Sequence, residues 1–268
     1  MGIIDINNLS FRYKNDFIYD DFSLSIKRGS WTTIAGPNGS GKSTLVKLLA
    51  GFYNSYSNIK IMDKILNKKN LLKIRKDIGF CFDVPENYFA CETVIDELAF
   101  SLENLAVAPK TIKKKLDEIT DLFDLKDILN KNPMELSGGQ KQIVQIASAL
   151  IIEPRILILD EALMMIDANR KKQILDIINM YNKKKQVTIL MLTHDLNEGI
   201  YSDRLVVLNK GNIVIDGAFL DCFENENVMR KLGLSVPFEI EFYKKIKLYD
   251  IDCKFSFNLK DMVNSLWK

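Results

Sequence analysis

The sequence predicts an α/β fold with an antiparallel β layer, an inserted helical subdomain and a small C-terminal appendage, and three observations carry that prediction. First, Gly36-Pro37-Asn38-Gly39-Ser40-Gly41-Lys42-Ser43-Thr44 satisfies the pattern G-x-x-x-x-G-K-[ST]. It lies between an apolar β-branched run, Trp31–Ala35, and a helical run, Leu45–Ala50, that Gly51 ends. Second, Ile156–Leu159 and Val187–Leu192, the latter interrupted only by Thr188, are apolar runs of the kind that a parallel sheet buries on both faces. Third, residues from about 84 to 152 are dominated by helical spacing, which reads as a subdomain inserted into the α/β core.

A chain of 268 residues buries roughly 70–75% of its unfolded surface, so its core needs no staple. The net charge of +2 suggests no nucleic-acid partner, and Lys113–Lys115 and Lys183–Lys185 read as solvated helix ends. Cys81, Cys91, Cys222 and Cys253 are widely spaced with no C-x-x-C, which fits buried small hydrophobes in a reducing compartment rather than a zinc site or a disulfide framework. No basic segment leads into an apolar core at the N-terminus, and no apolar run approaches the ~18–20 residues that cross a bilayer. The reading is therefore cytoplasmic, with membrane association through a partner subunit.

Taken in order, Ile3–Ile6 and Phe22–Ile26 read as an antiparallel layer leading into Trp31–Ala35. Tyr13 falls in the turn region between the first two runs, where an aromatic either stacks on a purine or packs as a half-buried core residue. Ile78–Phe82 is a buried strand followed by a loop, Asp83–Asn87. Thr93 caps Val94–Leu102, and Pro109 opens a helix whose apolar positions include Ile112, Leu116, Ile119 and Phe123. Ser137 is an N-cap before Ile143, Ile146, Ala147 and Leu150, and residues 168–182 form an amphipathic helix. Asn209–Asn212 joins two strands as a hairpin. In the tail, Ile251, Cys253, Phe255, Phe257 and Leu259 alternate with polar residues, which predicts a strand, and Asn258 caps a last short helix.

The chemistry concentrates at loop positions. Glycines 36, 39 and 41 allow the backbone to turn successive N–H groups inward around phosphate oxygens, Lys42 adds a point charge, and Ser43 offers a hydroxyl to a hard cation. Ser137-Gly138-Gly139-Gln140 at a helix start makes a second anion-binding element. Asp160 and Glu161 end one apolar strand and His194, the only histidine, ends another, both at the edge where α/β sheets bind ligands.

The phosphate loop, Leu136-Ser137-Gly138-Gly139-Gln140, the strand ending in Asp160-Glu161 and the strand ending at His194 together resemble the ABC-type P-loop ATPases over residues 1–232. The finer resemblance is to the ATPase subunits of energy-coupling factor transporters, importers of vitamins and metal ions. It rests on Ser10-Phe11-Arg12-Tyr13, Gly36-Pro37-Asn38-Gly39, Ala99-Phe100-Ser101-Leu102-Glu103-Asn104, Thr193-His194-Asp195-Leu196, Gly233-Leu234-Ser235-Val236-Pro237-Phe238 and the closing Leu266-Trp267. The last two stretches look like the first of two non-identical ATPase subunits. The resemblance implies ATP and Mg²⁺ as ligands, with Tyr13 on adenine, Gly36 through Thr44 on the phosphates, and Asp160 with Ser43 on the metal. It also implies Glu161 as the base, His194 on the γ-phosphate, Asp83 at the place of a residue that contacts Mg²⁺ and water, and Ser137, Gly138, Gly139, Gln140 and Asp167 facing an ATP held by a partner. The expected assembly is a heterodimer with a second ATPase subunit, paired through an appendage at 233–268. It would lie at the cytoplasmic side of the cell membrane with a transmembrane coupling subunit and a separate substrate-binding membrane protein.

The sequence departs from the family pattern at three places. Asp83 stands where the family has Gln, Ile143 where an Arg commonly follows the signature, and Leu163-Met164 where a Thr-Ser pair is usual. These departures frame one rival reading, an ATP-gated structural subunit that does not hydrolyse. A second rival, an ATPase of another bacterial ABC importer, would lack the Gly-Leu-x-Val-Pro-Phe tail. The interval between Lys42 and Leu136 is too short for the long coiled coil of a chromosome-organising ATPase.

Overall fold

The computed structural model describes residues 2–14, 16–53 and 58–266. The chain opens with β1 (Ile4–Tyr13) and β2 (Asp16–Ile26), an antiparallel hairpin longer than the apolar runs indicate, so that Tyr13 is the last residue of a strand. Next come β3 (Trp31–Ala35), α1 (Lys42–Leu49), β4 (Ile59–Ile61), β5 (Lys64–Ile65), α2 (Leu71–Arg75) and β6 (Ile78–Cys81). A helical stretch follows, with α3 (Val94–Asn104), α4 (Pro109–Leu122) and α5 (Gly138–Ile151). The order continues with β7 (Ile156–Asp160), α6 (Ala168–Lys185), β8 (Thr188–Thr193), β9 (Arg204–Asn209), β10 (Asn212–Ala218), α7 (Glu226–Lys231), α8 (Phe238–Leu248) and α9 (Leu259–Ser265).

Two sheets organise these elements. One has the strand order β2-β1-β4-β5, and the other β10-β9-β3-β8-β7-β6, in which every neighbouring pair except β10 with β9 is parallel. Every residue of β3, β7 and β8 is buried, as expected of central parallel strands covered on both faces. Helix α1 contributes Leu45, Val46 and Leu48 to a core that it shares with the small sheet and one face of the large sheet. The opposite face packs Leu157, Leu159, Ile189 and Met191 against α3 through α6. Because β3, β7 and β8 are parallel neighbours, their C-terminal ends finish side by side, and that edge carries the loops of interest.

Local signals determine the helix starts. Thr93 accepts from Asp96 N, Pro109 stands at the first position of α4, and Ser137 with Gln140 forms a complete capping box on α5. The hairpin at Lys210-Gly211 has positive φ at both turn residues, 47° and 77°, as a tight two-residue turn requires.

Three expectations are corrected. Residues 251–256 form no strand: Cys253 is buried and Phe255 half-buried against α8 and α9, but no neighbouring strand among the described residues offers them a hydrogen-bonding ladder. Lys113–Lys115 lies within α4 rather than at its end, with Lys115 2.8 Å from Glu153, whereas Lys183–Lys185 is the exposed last turn of α6 as expected, from which Lys185 also pairs with Glu153. Cys91 is only half-buried, unlike the other three cysteines. Asn258 caps α9 as expected, accepting from Lys260 N, whereas Trp267 lies outside the described residues. Leu234, Val236 and Ile240 pack with Leu205, Val207 and Phe223, so the segment after Gly233 has its own apolar contact with the ATPase body.

Candidate active site

The first cavity, about 430 Å³, is lined by residues 38–44 of the loop between β3 and α1, with Asp83, Glu161, Met164 and His194. The loop can take its shape because Gly39 and Gly41 have φ of 78° and 111°, where a side chain is strained. Gly36 is required for a different reason: a Cβ there would collide with Leu208 O. A tyrosine that sequence reasoning did not single out supports the loop from behind, since Tyr19 is fully buried and its hydroxyl donates to Gly41 O at 2.9 Å.

The charged groups come from four strand ends, those of β3, β6, β7 and β8. Lys42 is 6% exposed, and its ammonium donates to Gly36 O at 2.7 Å and lies 3.6 Å from Glu161 Oε1. Burial pushes its pKa down, opposed by the charges of Glu161 and Asp160. This lysine is therefore packed into the loop as well as placed at the cavity, more deeply than a side chain that only meets ligand. Ser43 Oγ donates to Asp160 Oδ1 at 3.2 Å. Asp160, 1% exposed, has its pKa pushed up to about 7, chiefly by burial and then by the charges of Asp83 and Glu161, while the Ser43 hydrogen bond works the other way. Glu161 Oε2 is 2.8 Å from His194 Nδ1, a pairing that neither motif announces. Asp83 lies at the exposed rim and accepts from Val84 N at 3.0 Å.

These residues fit a nucleotide's phosphate chain. Ser40 Oγ is buried with no hydrogen-bond partner among the described residues, a Cβ at Gly39 would meet open space, and the Lys42 ammonium is at hand. They also fit magnesium. Ser43 and Asp160 offer hard oxygens but no complete cage, and among the described residues no group of three or more His, Cys, Asp or Glu side chains could hold a metal alone. That suits an ion that keeps waters and shares its shell with phosphates. Tyr13 is outside this cavity. Its ring lies 5.3 Å from Tyr53 and 5.0 Å from Phe11, in an aromatic cluster at the end of β1.

The second cavity, about 750 Å³, gathers the other expected residues. Ser137, Gly138, Gly139, Gln140 and Ile143 at the start of α5 line it together with Met165, Ile166 and Asp167. Asp167 is also the N-cap of α6, accepting from Arg170 N at 3.1 Å. Of the unusual pair, Leu163 is fully buried in the core, whereas Met164 is 52% exposed at the first cavity. Thus Met164 and Met165, adjacent in sequence, face different cavities. Gln142, which no motif singles out, is fully buried between them: its Oε1 accepts from Met165 N at 2.8 Å and its Nε2 donates to Glu161 O at 3.3 Å.

A phosphate loop and paired carboxylates at parallel strand ends, with a glycine-rich capped helix on a separate surface, define a nucleotide-binding cassette. Residues 19–164 match the ABC transporter family. The chain is 39% identical over 249 residues to the energy-coupling factor transporter ATP-binding protein EcfA1 of Lactobacillus johnsonii, covering 91% of this chain and 87% of that protein. It is 38% identical over 246 residues to EcfA of Pediococcus pentosaceus, covering 90% and 88%, and 33% identical over 269 residues to EcfA1 of Geobacillus kaustophilus, covering 99% and 96%. Among solved structures it resembles cbiO1 of Clostridium perfringens, part of the ABC transporter complex cbiONQ, with a TM-score of 0.75 and 29% identity over 91% of this chain and 99% of that one. It also resembles the dimeric ATP-binding cassette MJ0796 bound to ADP and Pi, with a TM-score of 0.74 and 26% identity over 81% and 98%. The chain belongs to the ABC transporter family, within the branch of energy-coupling factor ATP-binding proteins.

Proposed function

We propose that this chain binds and hydrolyses ATP to power an energy-coupling factor importer of vitamins or metal ions, with each complete catalytic site shared between two ATPase subunits. The carrying observation is the separation of the two cavities: the phosphate loop, Glu161 and His194 line one, with Asp160 buried behind Ser43, and Ser137–Gln140 with Asp167 line the other. A single chain so divided offers half of two sites. A partner ATPase, of the same or a second kind, completes both, and the segment after Gly233 is the appendage assigned to that pairing.

In this reading the loop N–H groups, Ser40 and Lys42 hold the phosphates in line. Ser43 and Asp160 would hold Mg²⁺, which would supply positive charge beside the phosphates when bound. Glu161 accepts the proton of the attacking water, and its contact with His194 Nδ1 orients both side chains. The capped start of α5 supplies N–H groups to the partner's nucleotide. Tyr13, beyond the phosphate cavity, is assigned to the base.

Among the described residues no helix is long and apolar enough to cross a membrane, so transport requires membrane partners. A groove beside the 83–90 loop suits a transmembrane coupling subunit. It is lined by Phe80, Phe82, Tyr88 and Phe100, and by Gln145, whose buried amide has no partner among the described residues. The experiment is Glu161→Gln in the purified complex. We expect hydrolysis to fall ~10²-fold or more while ATP-dependent pairing persists, because the change removes a base and keeps the shape. Phosphate release near the wild-type rate would reject Glu161 as the base.

A further inference from the structure

We infer that Gln142 is a positioning residue for hydrolysis, one that holds the Glu161 backbone in place and ties it to the signature helix that serves the other composite site. The inference rests on the reading of Glu161 as the base and goes beyond it.

Glu161 sits at φ 51°, a left-handed conformation that non-glycine residues seldom adopt and that surrounding contacts must sustain. Three backbone contacts do so. Its N–H donates to Leu192 O at 2.9 Å, and its carbonyl accepts from Met164 N and from Gln142 Nε2, both at 3.3 Å. The first contact comes from the neighbouring strand and the second from the same short loop. Only the third comes from α5, the helix whose start presents Ser137-Gly138-Gly139.

The same side chain also accepts from Met165 N at 2.8 Å, so one fully buried amide spans both ends of the 161–165 loop. The surrounding fit is tight, since a Cβ on Gly139 would stand 2.8 Å from Met165 O. A movement of α5 is thereby passed to the carbonyl of Glu161 without contact between the two cavities. A buried amide that uses both its donor and its acceptor resists replacement, because any apolar substitute leaves a buried N–H without a partner. The arrangement gives a physical route by which closure of the signature on a partner's nucleotide resets the base at this chain's own.

The test compares Gln142→Met, close in volume but unable to make either bond, with Gln142→Glu, in the purified complex. A glutamic acid here reproduces both bonds only when protonated, and burial raises the pKa of such a carboxyl. Three readouts are taken: kcat, KM for ATP, and binding of a fluorescent ATP analogue. We expect Gln142→Met to lower kcat by about tenfold, with KM and analogue affinity within about twofold of wild type, as removal of a contact needed for turnover but not binding predicts. We expect the rate of Gln142→Glu relative to wild type to rise as pH falls, approaching wild type at the acid end. Wild-type kcat in Gln142→Met overturns the inference. So does a parallel loss of binding and turnover in both variants with no acid recovery, which marks a packing role alone. Wild-type turnover in Glu161→Gln overturns the base assignment itself, and is thereby distinguished from failure at Gln142.

Discussion

Replacing Asp160 with asparagine should change how stability depends on pH. Asp160 is 1% exposed at the end of β7, and its pKa is pushed up to about 7 from an ordinary 3.8. The fold therefore favours the protonated carboxyl over the ionised one. The resulting stabilisation is fully present below pH ~4 and is lost as pH rises through ~7. A shift of this size corresponds to roughly 4 kcal/mol when complete. Between about pH 5.5 and about pH 8 the portion lost is about 2 kcal/mol. Asparagine keeps the shape, still accepts from Ser43, and does not titrate. The assay is urea denaturation of wild type and Asp160→Asn at those two pH values, with nucleotide removed and EDTA present so that no cation holds the carboxylate ionised. Other titrating groups cancel in the difference between the proteins. We expect the stability difference to move by about 2 kcal/mol in favour of the variant on going to the higher pH. A difference that stays constant across pH would show that the carboxylate is ionised throughout, and that burial and the charges of Asp83 and Glu161 do not govern this site.

Two further predictions follow from the same geometry. Gly139→Ala forces a Cβ to 2.8 Å from the backbone oxygen of Met165, so hydrolysis should fall at least ~10-fold while nucleotide binding at the chain's own phosphate loop is kept; equal loss of both would contradict the separation of the cavities. Asp83→Gln removes from the rim of a cavity that Glu161 lines a carboxylate whose charge reaches the buried Asp160, and should change the magnesium dependence of hydrolysis; superimposable rate curves against Mg²⁺ would remove residue 83 from the metal or water site.

What the sequence determined by itself is what neighbouring residues decide. The phosphate loop with its flanking strand and helix, the Ser137–Gln140 capping box, the Asp167 and Asn258 caps and the Lys210-Gly211 turn are each set within a few residues by glycine conformations, short polar caps and apolar spacing. Even the family was readable, because its motifs are contiguous runs. The tertiary structure alone decided which runs meet. Ser43 reaches Asp160, 117 positions away, and His194 reaches Glu161, 33 positions away, because the parallel order β3-β8-β7 brings three strand ends to one edge. It also decided that Lys42 is buried and that Met164 and Met165 part between two cavities, and it gave Gln142 a role that no local pattern marks. The tail shows the converse: Ile251 to Leu259 has the alternation of a strand, yet residues 251–258 stay irregular and Leu259 opens α9, because a strand exists only where another edge supplies its hydrogen bonds, and alternation cannot report that partner.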